Sequence, residues 1–153
     1  MKITDNTLFL EDISVETLMQ EYGSPLYVYE ESVLRSQFRQ LSSGFPEGLL
    51  EIHYAMKANS NPSLLKILCE EGSSIDAVSE FEVRLALESG FKPQQIIFTG
   101  NNNSLAEIEF CVENDVPVNL GSLASLEKYG ERYPHTKVSV RINPGIGAGH
   151  HAH

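Results

Sequence analysis

Two hydrophobic periods alternate along most of the chain. Short apolar runs rich in β-branched residues, typical of buried strands, are each followed by a longer segment whose apolar residues recur every three or four positions, typical of an amphipathic helix. The predicted strands are EIHYAM, SIDAV, QIIFTG, VPVNL and KVSVRINPG, and the predicted helices are NPSLLKILCEEG, SEFEVRLALESG, NSLAEIEFCVEND and SLASLEKYGERYP. This alternation predicts an α/β fold with a parallel sheet.

The spacing of these units favours a (β/α) barrel over an open, doubly wound sheet. The loops are short and the repeat is even, and no G-x-G-x-x-G motif follows the first strand, which argues against a dinucleotide-binding fold. A complete barrel has eight strand–helix units and typically ~250 residues. Four units and a fifth strand are present here, so we expect the N-terminal part of a longer, TIM-type barrel.

Two further helices are predicted before this series. SVETLMQEYGSP reads as a helix that Ser14 can cap and Gly23 ends, and ESVLRSQFRQLSSGFP reads as a second one, ended by Gly44 and Pro46. Between them, PLYVYE alternates like a strand and is rich in β-branched and aromatic residues. We therefore expect helix, strand and helix ahead of the barrel units.

Composition narrows the classes of partner. The 153 residues include 11 basic and 21 acidic side chains, a net charge of −10, which argues against nucleic acid or an anionic membrane surface. No segment has the length of a membrane helix or the pattern of a signal peptide, which favours the cytoplasm. Cys69 and Cys111 lie in apolar helical patterns, so we interpret them as buried thiols and expect no metal site.

The segment HYAMKANSNP places Lys57 directly after the first barrel strand. Ligand chemistry in parallel α/β folds lies at the carboxyl ends of the strands. The lysine could simply be solvated at a strand end. It could also be a nucleophile that forms a Schiff base with an aldehyde, a reaction that needs the neutral amine and that a low-dielectric site favours.

Three other residues invite two interpretations each. Asp76 ends the second strand and faces the same edge as Lys57, but an aspartate there can also serve a turn. Ser79-x-x-Glu82 has the form of a capping box, in which each side chain accepts a backbone N–H of the first turn. Arg141 interrupts an apolar strand, which fits either a polar barrel interior or an outward position with its stem against apolar neighbours.

Five segments occur in an order that is typical of one enzyme family. They are GSPLYVYEESVLRSQ, YAMKAN, SIDAVSEFEVRLALESGF, IIFTGNNNS and VRINPGIGAGHHAH. Together they resemble the pyridoxal-phosphate-dependent decarboxylases that share the alanine-racemase type of barrel. IIFTGNNNS resembles in particular the F-x-G-N-x-K-S segment of the diaminopimelate decarboxylases, which ornithine and arginine decarboxylases of this fold lack. The resemblance runs from about Thr17 to the last residue.

Two departures from the family pattern stand out. The family usually has Gly-Gly-Glu or a similar sequence after the serine of the second strand, where this chain has Glu80, Phe81 and Glu82. The usual lysine of the G-N-N-K-S segment is Asn103. Neither change touches Lys57, so they bear on local packing and on substrate detail.

The resemblance implies a site and an activity. Lys57 would carry pyridoxal phosphate as a Schiff base, with Asp76, Glu82 and Arg141 in the cofactor pocket. The complete protein would decarboxylate meso-diaminopimelate to L-lysine, as a homodimer. Residues 1–30 would join a C-terminal β domain, and residues 31–153 would form the N-terminal half of the barrel. This chain by itself would then have little or no activity.

Two alternatives to this activity remain open. One is another enzyme of the same barrel, such as an ornithine, arginine or carboxynorspermidine-type decarboxylase or a racemase. The other is a half-barrel that binds pyridoxal phosphate without turnover, or associates with itself through open sheet edges.

The run of histidines at positions 150, 151 and 153 raises a separate question. Such a run can indicate a metal site or an added tag. Three histidines within four residues are too close for one tetrahedral zinc cage. The segment also matches the loop after the fifth strand of the family, so we interpret it as native loop sequence.

Overall fold

The structure is a computed structural model that describes residues 1–145. It divides into two units, Met1–Phe45 and the residues from Pro46 onward, which are described separately below. The three histidines discussed above lie outside the described residues.

The first unit is a three-stranded antiparallel meander with two helices. Its elements are β1 (Lys2–Thr4), β2 (Thr7–Leu10), β3 (Ile13–Ser14), α1 (Val15–Tyr22) and α2 (Glu31–Ser42). The turn between β1 and β2 holds Asp5 and Asn6 at φ angles of 48° and 61°. Two successive positive φ angles are the backbone of a type I′ turn, the connection that suits the twist of a tight hairpin.

The predictions for this unit are confirmed for the helices and wrong for the strands. The Ser14 hydroxyl accepts a hydrogen bond from the Thr17 N–H, and Gly23 ends α1 at a φ of 82°. The segment PLYVYE, predicted as a strand, forms none within the described residues. The antiparallel meander ahead of α1 was not predicted. A strand needs a partner edge, and alternation along the sequence does not say whether one is present.

The second unit repeats strand and helix. Its elements are β4 (His53–Ala55), α3 (Pro62–Glu70), β5 (Ser74–Ala77), α4 (Glu80–Glu88), β6 (Ile96–Phe98), α5 (Leu105–Glu113), β7 (Asn119–Leu120), α6 (Leu123–Arg132) and β8 (Ser139–Val140), with single 3-10 turns at Met56–Ala58 and Pro93–Gln95. The strands β4, β5 and β6 pair in parallel, as do β7 and β8. A parallel bridge from Phe98 to Val118 joins the two sets, so five strands follow one another in chain order.

The order of these elements confirms the predicted four strand–helix units and fifth strand. Each helix begins and ends where local signals predict. Pro62 occupies the first turn of α3, while Gly72 and Gly90 follow α3 and α4 at φ angles of 85° and 103°, which suit a residue without a Cβ. Within the described residues, no helix is long and apolar enough to cross a membrane.

The core of the second unit lies between the sheet and its helices. Ile75, Ala77 and Phe98 point from the strands to this side and are fully buried, and Leu65 of α3 and Val83 of α4 are fully buried as well. Successive side chains of a strand point to opposite faces. The residues between these buried ones, Asp76 among them, therefore lie on the other face of the sheet.

Candidate functional site

Lys57 lies in a short turn that continues β4. The turn is a single 3-10 turn of Met56–Ala58, and Met56 is only 1% exposed, so it anchors the turn in the core. The Tyr54 hydroxyl donates to the Asn59 carbonyl oxygen across the turn, at 3.1 Å. The Lys57 side chain is exposed. It makes no hydrogen bond or ion pair to any of residues 1–145, so its amine is accessible to a ligand.

The polar residues after Lys57 fix the start of the next helix. The Asn59 side-chain oxygen accepts from the Asn61 N–H at 3.0 Å, and the Asn61 side-chain oxygen accepts from the Ser63 N–H at 2.9 Å, which caps α3. Such side-chain turns hold a connection without a strand or a helix. The sequence KANSNP is therefore an ordered link, and Lys57 starts from a fixed backbone.

Asp76 lies on the open face of the sheet, on the strand next to that of Lys57. Its Cα is paired with Ala55 of β4 and Ile97 of β6. The Thr99 hydroxyl donates a hydrogen bond to the Asp76 Oδ1, and both side chains are partly buried. The sequence interpretation did not include Thr99. Thr99 could have been proposed from the sequence, because it directly follows β6, the strand next to the one that carries Asp76.

Glu82 has a structural role in the loop between β5 and α4. The Ser79 hydroxyl accepts from the Glu82 N–H at 3.3 Å, as the predicted capping box requires. The Glu82 carboxylate, however, accepts from the Val78 N–H at 2.7 Å instead of from the Ser79 N–H. The second half of the predicted box is therefore wrong by one residue, because the carboxylate reaches past the cap to the end of the strand.

Arg141 follows β8 and lies on the same face of the sheet as Asp76. Its N–H donates to the Leu120 carbonyl oxygen at 2.8 Å, and its neighbour Val140 pairs with Leu120, which is buried on the helix side. Alternation therefore places the Arg141 side chain on the open face. It is exposed, and two strands, β6 and β7, lie between its strand and that of Asp76, so the two side chains do not meet.

The loops after β6 and β7 border a polar cleft at this edge. Its volume is about 350 Å³, and its lining comes from residues 100–103, Ile108, Leu120, Gly121, Ser122 and Ser125. Gly100 is buried, and a Cβ there would lie 2.6 Å from the Val78 carbonyl oxygen and 2.5 Å from the Asn103 amide. The loops after β5 and β6 are therefore in direct contact, which holds Thr99 and Val78 in place.

Comparison with known proteins gives consistent relationships. Residues 31–153 match the family model described as pyridoxal-dependent decarboxylase, pyridoxal binding domain. The chain is 42% identical over 139 residues to a diaminopimelate decarboxylase of Methanothermobacter thermautotrophicus, an alignment that covers 89% of this chain and 32% of that protein. The chain thus spans about a third of the length of this curated relative.

Two solved structures superpose on most of this chain. The diaminopimelate decarboxylase of Helicobacter pylori complexed with L-lysine is 34% identical and superposes with a TM-score of 0.77, covering 86% of this chain and 34% of that one. The lysine/ornithine decarboxylase of Vibrio vulnificus complexed with putrescine is 26% identical, with a TM-score of 0.76, covering 84% of this chain and 35% of that one. The predicted fold class, a partial barrel of this type, is confirmed.

Proposed function

Because the chain belongs to the pyridoxal-dependent decarboxylase family and carries its pyridoxal-binding domain, we propose that the protein is a pyridoxal-phosphate-dependent lyase that decarboxylates meso-diaminopimelate to L-lysine. The observation that carries the proposal is the place of Lys57. It is an exposed amine at the carboxyl end of a barrel strand, next to the strand that carries Asp76.

The residues at this edge suit pyridoxal phosphate. An aldehyde needs an accessible amine, and the Lys57 amine has no partner among residues 1–145. A carboxylate held by Thr99 and an arginine on the same face supply charges for a polar, ionic ligand. Lys57 would hold the cofactor through Nζ, and Asp76 and Arg141 would line its pocket. When bound, the cofactor supplies an electron sink for the electron pair that remains as the substrate carboxylate leaves as carbon dioxide.

Residues around Lys57 and Asp76 fix the positions of these two side chains. The anchored turn around Met56 fixes where the Lys57 amine can reach. Glu82 holds the Val78 N–H, and through it the loop that follows Asp76. We therefore assign Glu82 to the support of the pocket, as a residue that acts through the β5 loop.

The choice of substrate rests on the relatives. Relatives named diaminopimelate decarboxylase range from 25% to 42% identity to this chain, and the lysine/ornithine enzyme is 26% identical, so the upper part of that range supports the first kind of substrate. In addition, a solved relative of the first kind is complexed with L-lysine, the product that the proposed reaction gives. Because the proposed reaction forms L-lysine, the protein would act in lysine biosynthesis.

The location and assembly of the protein are part of the same proposal. We place it in the cytoplasm as a homodimer without nucleic-acid partners. The net charge of −10 supports the last point. The cytoplasm is the compartment that the sequence pattern favours, and the homodimer is what the resemblance to the decarboxylase family implies. Light scattering of the purified gene product would measure the mass of the assembly.

The test of the function is a decarboxylation assay on the complete gene product. We expect release of carbon dioxide and lysine from meso-diaminopimelate, and little release from ornithine, arginine or lysine. The variant Lys57→Ala should lose turnover, whereas Lys66→Ala, which removes an exposed lysine from α3, should retain it. Preferential turnover of ornithine or arginine would contradict the assignment of meso-diaminopimelate as the substrate. Full activity of Lys57→Ala would contradict the assignment of Lys57 as the residue that binds the cofactor.

A further inference from the structure

The hydrogen bond between Thr99 and Asp76 joins the second and third strands of the second unit on their open face. Asp76 is paired with Ile97, and Thr99 lies two residues further along the same strand direction, so both side chains lie on one face. The Thr99 hydroxyl donates to Oδ1 of Asp76. The Asp76 Oδ2 makes no hydrogen bond or ion pair to residues 1–145, so it is available to a further group.

The backbone of Thr99 is fixed from both sides. Its N–H donates to the Ala77 carbonyl oxygen at 2.8 Å, which extends the ladder between β5 and β6. The next residue, Gly100, is pressed against the Val78 carbonyl oxygen and the Asn103 side chain so closely that no Cβ fits. A β-branched side chain on such a backbone has few rotamers. The hydroxyl therefore has a defined place beside the carboxylate.

We propose that Thr99 is a positioning residue, whose hydroxyl holds Asp76 in the orientation that presents its second oxygen to the Lys57 nitrogen, where it would stabilise the positive charge that this nitrogen carries once it is joined to the cofactor. The pairing of Asp76 with Ala55, two residues before Lys57, brings the carboxylate and the lysine to neighbouring places at one edge. A carboxylate that is held in one rotamer loses less entropy when it meets a cation than a freely rotating one. This inference rests on the proposed function, because it gives Thr99 a role at the same site.

A purely structural role for Thr99 makes a different prediction. If the hydrogen bond only joined two strands, its loss would lower the stability of the protein and leave cofactor binding unchanged. Thr136 offers a matched control, because its hydroxyl also bonds within the second unit, to the Tyr129 hydroxyl at 3.1 Å and to the Tyr133 carbonyl oxygen at 2.7 Å. It lies in the segment between α6 and β8, which is not at the Lys57 edge.

The experiment is a titration of the complete gene product, freed of cofactor, with pyridoxal phosphate. The absorbance band of the lysine adduct is followed, and borohydride reduction with peptide mapping identifies the lysine. Thr99→Val keeps the shape of the side chain and removes the hydroxyl, and Thr99→Ser keeps the hydroxyl. We expect Thr99→Val to weaken the apparent affinity about tenfold, the loss typical of one charge-assisted hydrogen bond. Thr99→Ser and Thr136→Val should bind as the wild type does.

The outcomes separate this inference from the proposed function. A wild-type protein without an adduct on Lys57 would overturn both. A wild-type adduct on Lys57, with Thr99→Val binding within twofold of it, would overturn the role of Thr99 alone. Equal losses in Thr99→Ser and Thr99→Val would also overturn it, because packing of the methyl group would then be responsible. If Thr99→Val fails to fold, Thr99→Ala removes the same hydroxyl, and the same criteria apply to it.

Discussion

Replacing Gly100 by alanine tests the contact between the loops at the carboxyl edge of the sheet. The new Cβ would lie 2.6 Å from the Val78 carbonyl oxygen, and 2.5 Å from both terminal atoms of the Asn103 amide. Real Cβ contacts are essentially never shorter than 3.0 Å, so the two loops would have to move apart by at least about 0.4 Å. The Asn103 side chain can rotate away, but the Val78 carbonyl belongs to the backbone and cannot.

The expected result is a loss of stability of about 1–3 kcal/mol, the range for inserting a methyl group into a packed site. The control is Gly130→Ala, because Gly130 lies within α6 and a Cβ there meets nothing within 4 Å. Alanine is the better helix former by about 0.8–1 kcal/mol, so this variant should be more stable than the wild type. The same substitution is thus expected to have opposite signs at the two positions.

The assay is equilibrium unfolding by urea, followed by circular dichroism, on the wild type and both variants. The double variant Gly100→Ala/Asn103→Ala should recover part of the loss, since it removes the amide but leaves the Val78 carbonyl in place. A Gly100→Ala protein as stable as the wild type would refute the reasoning, because the loops would then not be in the close contact described here.

Two further predictions concern a helix cap and a cysteine. Ser104→Ala should lower the free energy of unfolding in urea by about 1 kcal/mol. The Ser104 hydroxyl accepts from the Glu107 N–H at 3.3 Å, and the Glu107 carboxylate accepts from the Ser104 N–H at 2.9 Å. An unchanged midpoint of the urea transition would contradict this cap. Burial raises the pKa of the Cys111 thiol to about 12. Since the thiolate is the reactive form, Cys111 in the folded protein should resist a thiol reagent at pH 8 and react after unfolding; rapid labelling of the folded protein would contradict its burial.

The helices of the second unit could be predicted because their signals are local. Pro62 in the first turn of α3 and the glycines after α3 and α4 act within a few residues of the boundary that they set. The strands between them are only two to four residues long, but each lies between two such helices, so the alternation itself places them. Local chemistry and the repeat therefore agree across this unit, which is why the fold class could be predicted.

The first unit shows where this reasoning fails. TLFL forms β2 and PLYVYE forms no strand, although PLYVYE has the stronger strand composition. The hairpin before α1 had a usable signal in Asp5 and Asn6, two residue types that tolerate positive φ angles. Whether an extended segment pairs depends on a partner edge elsewhere, and the composition of the segment itself does not contain that information.

The position of Lys57 could be predicted from the sequence, but the hydrogen bonds of the residues around it could not. Lys57 could be placed at the carboxyl edge because it directly follows a strand. The bond from Thr99 to Asp76 joins residues 23 apart in sequence. It depends on the register of β5 against β6, and hydrophobic alternation leaves that register open to slips of two residues, because such a slip keeps the same side chains on the buried face. The Glu82 carboxylate binds the Val78 N–H instead of the expected Ser79 N–H. The path of the loop after β5 decides which N–H lies within reach, and the sequence pattern does not give that path.

The central claim is that Lys57 is the residue to which pyridoxal phosphate attaches. The most direct measurement is borohydride reduction of the complete gene product with bound pyridoxal phosphate, followed by peptide mass mapping. The account predicts one pyridoxyl adduct, on the peptide that contains Lys57, and its loss in Lys57→Ala but not in Lys66→Ala. An adduct on another lysine, or label spread evenly over the exposed lysines, would contradict it.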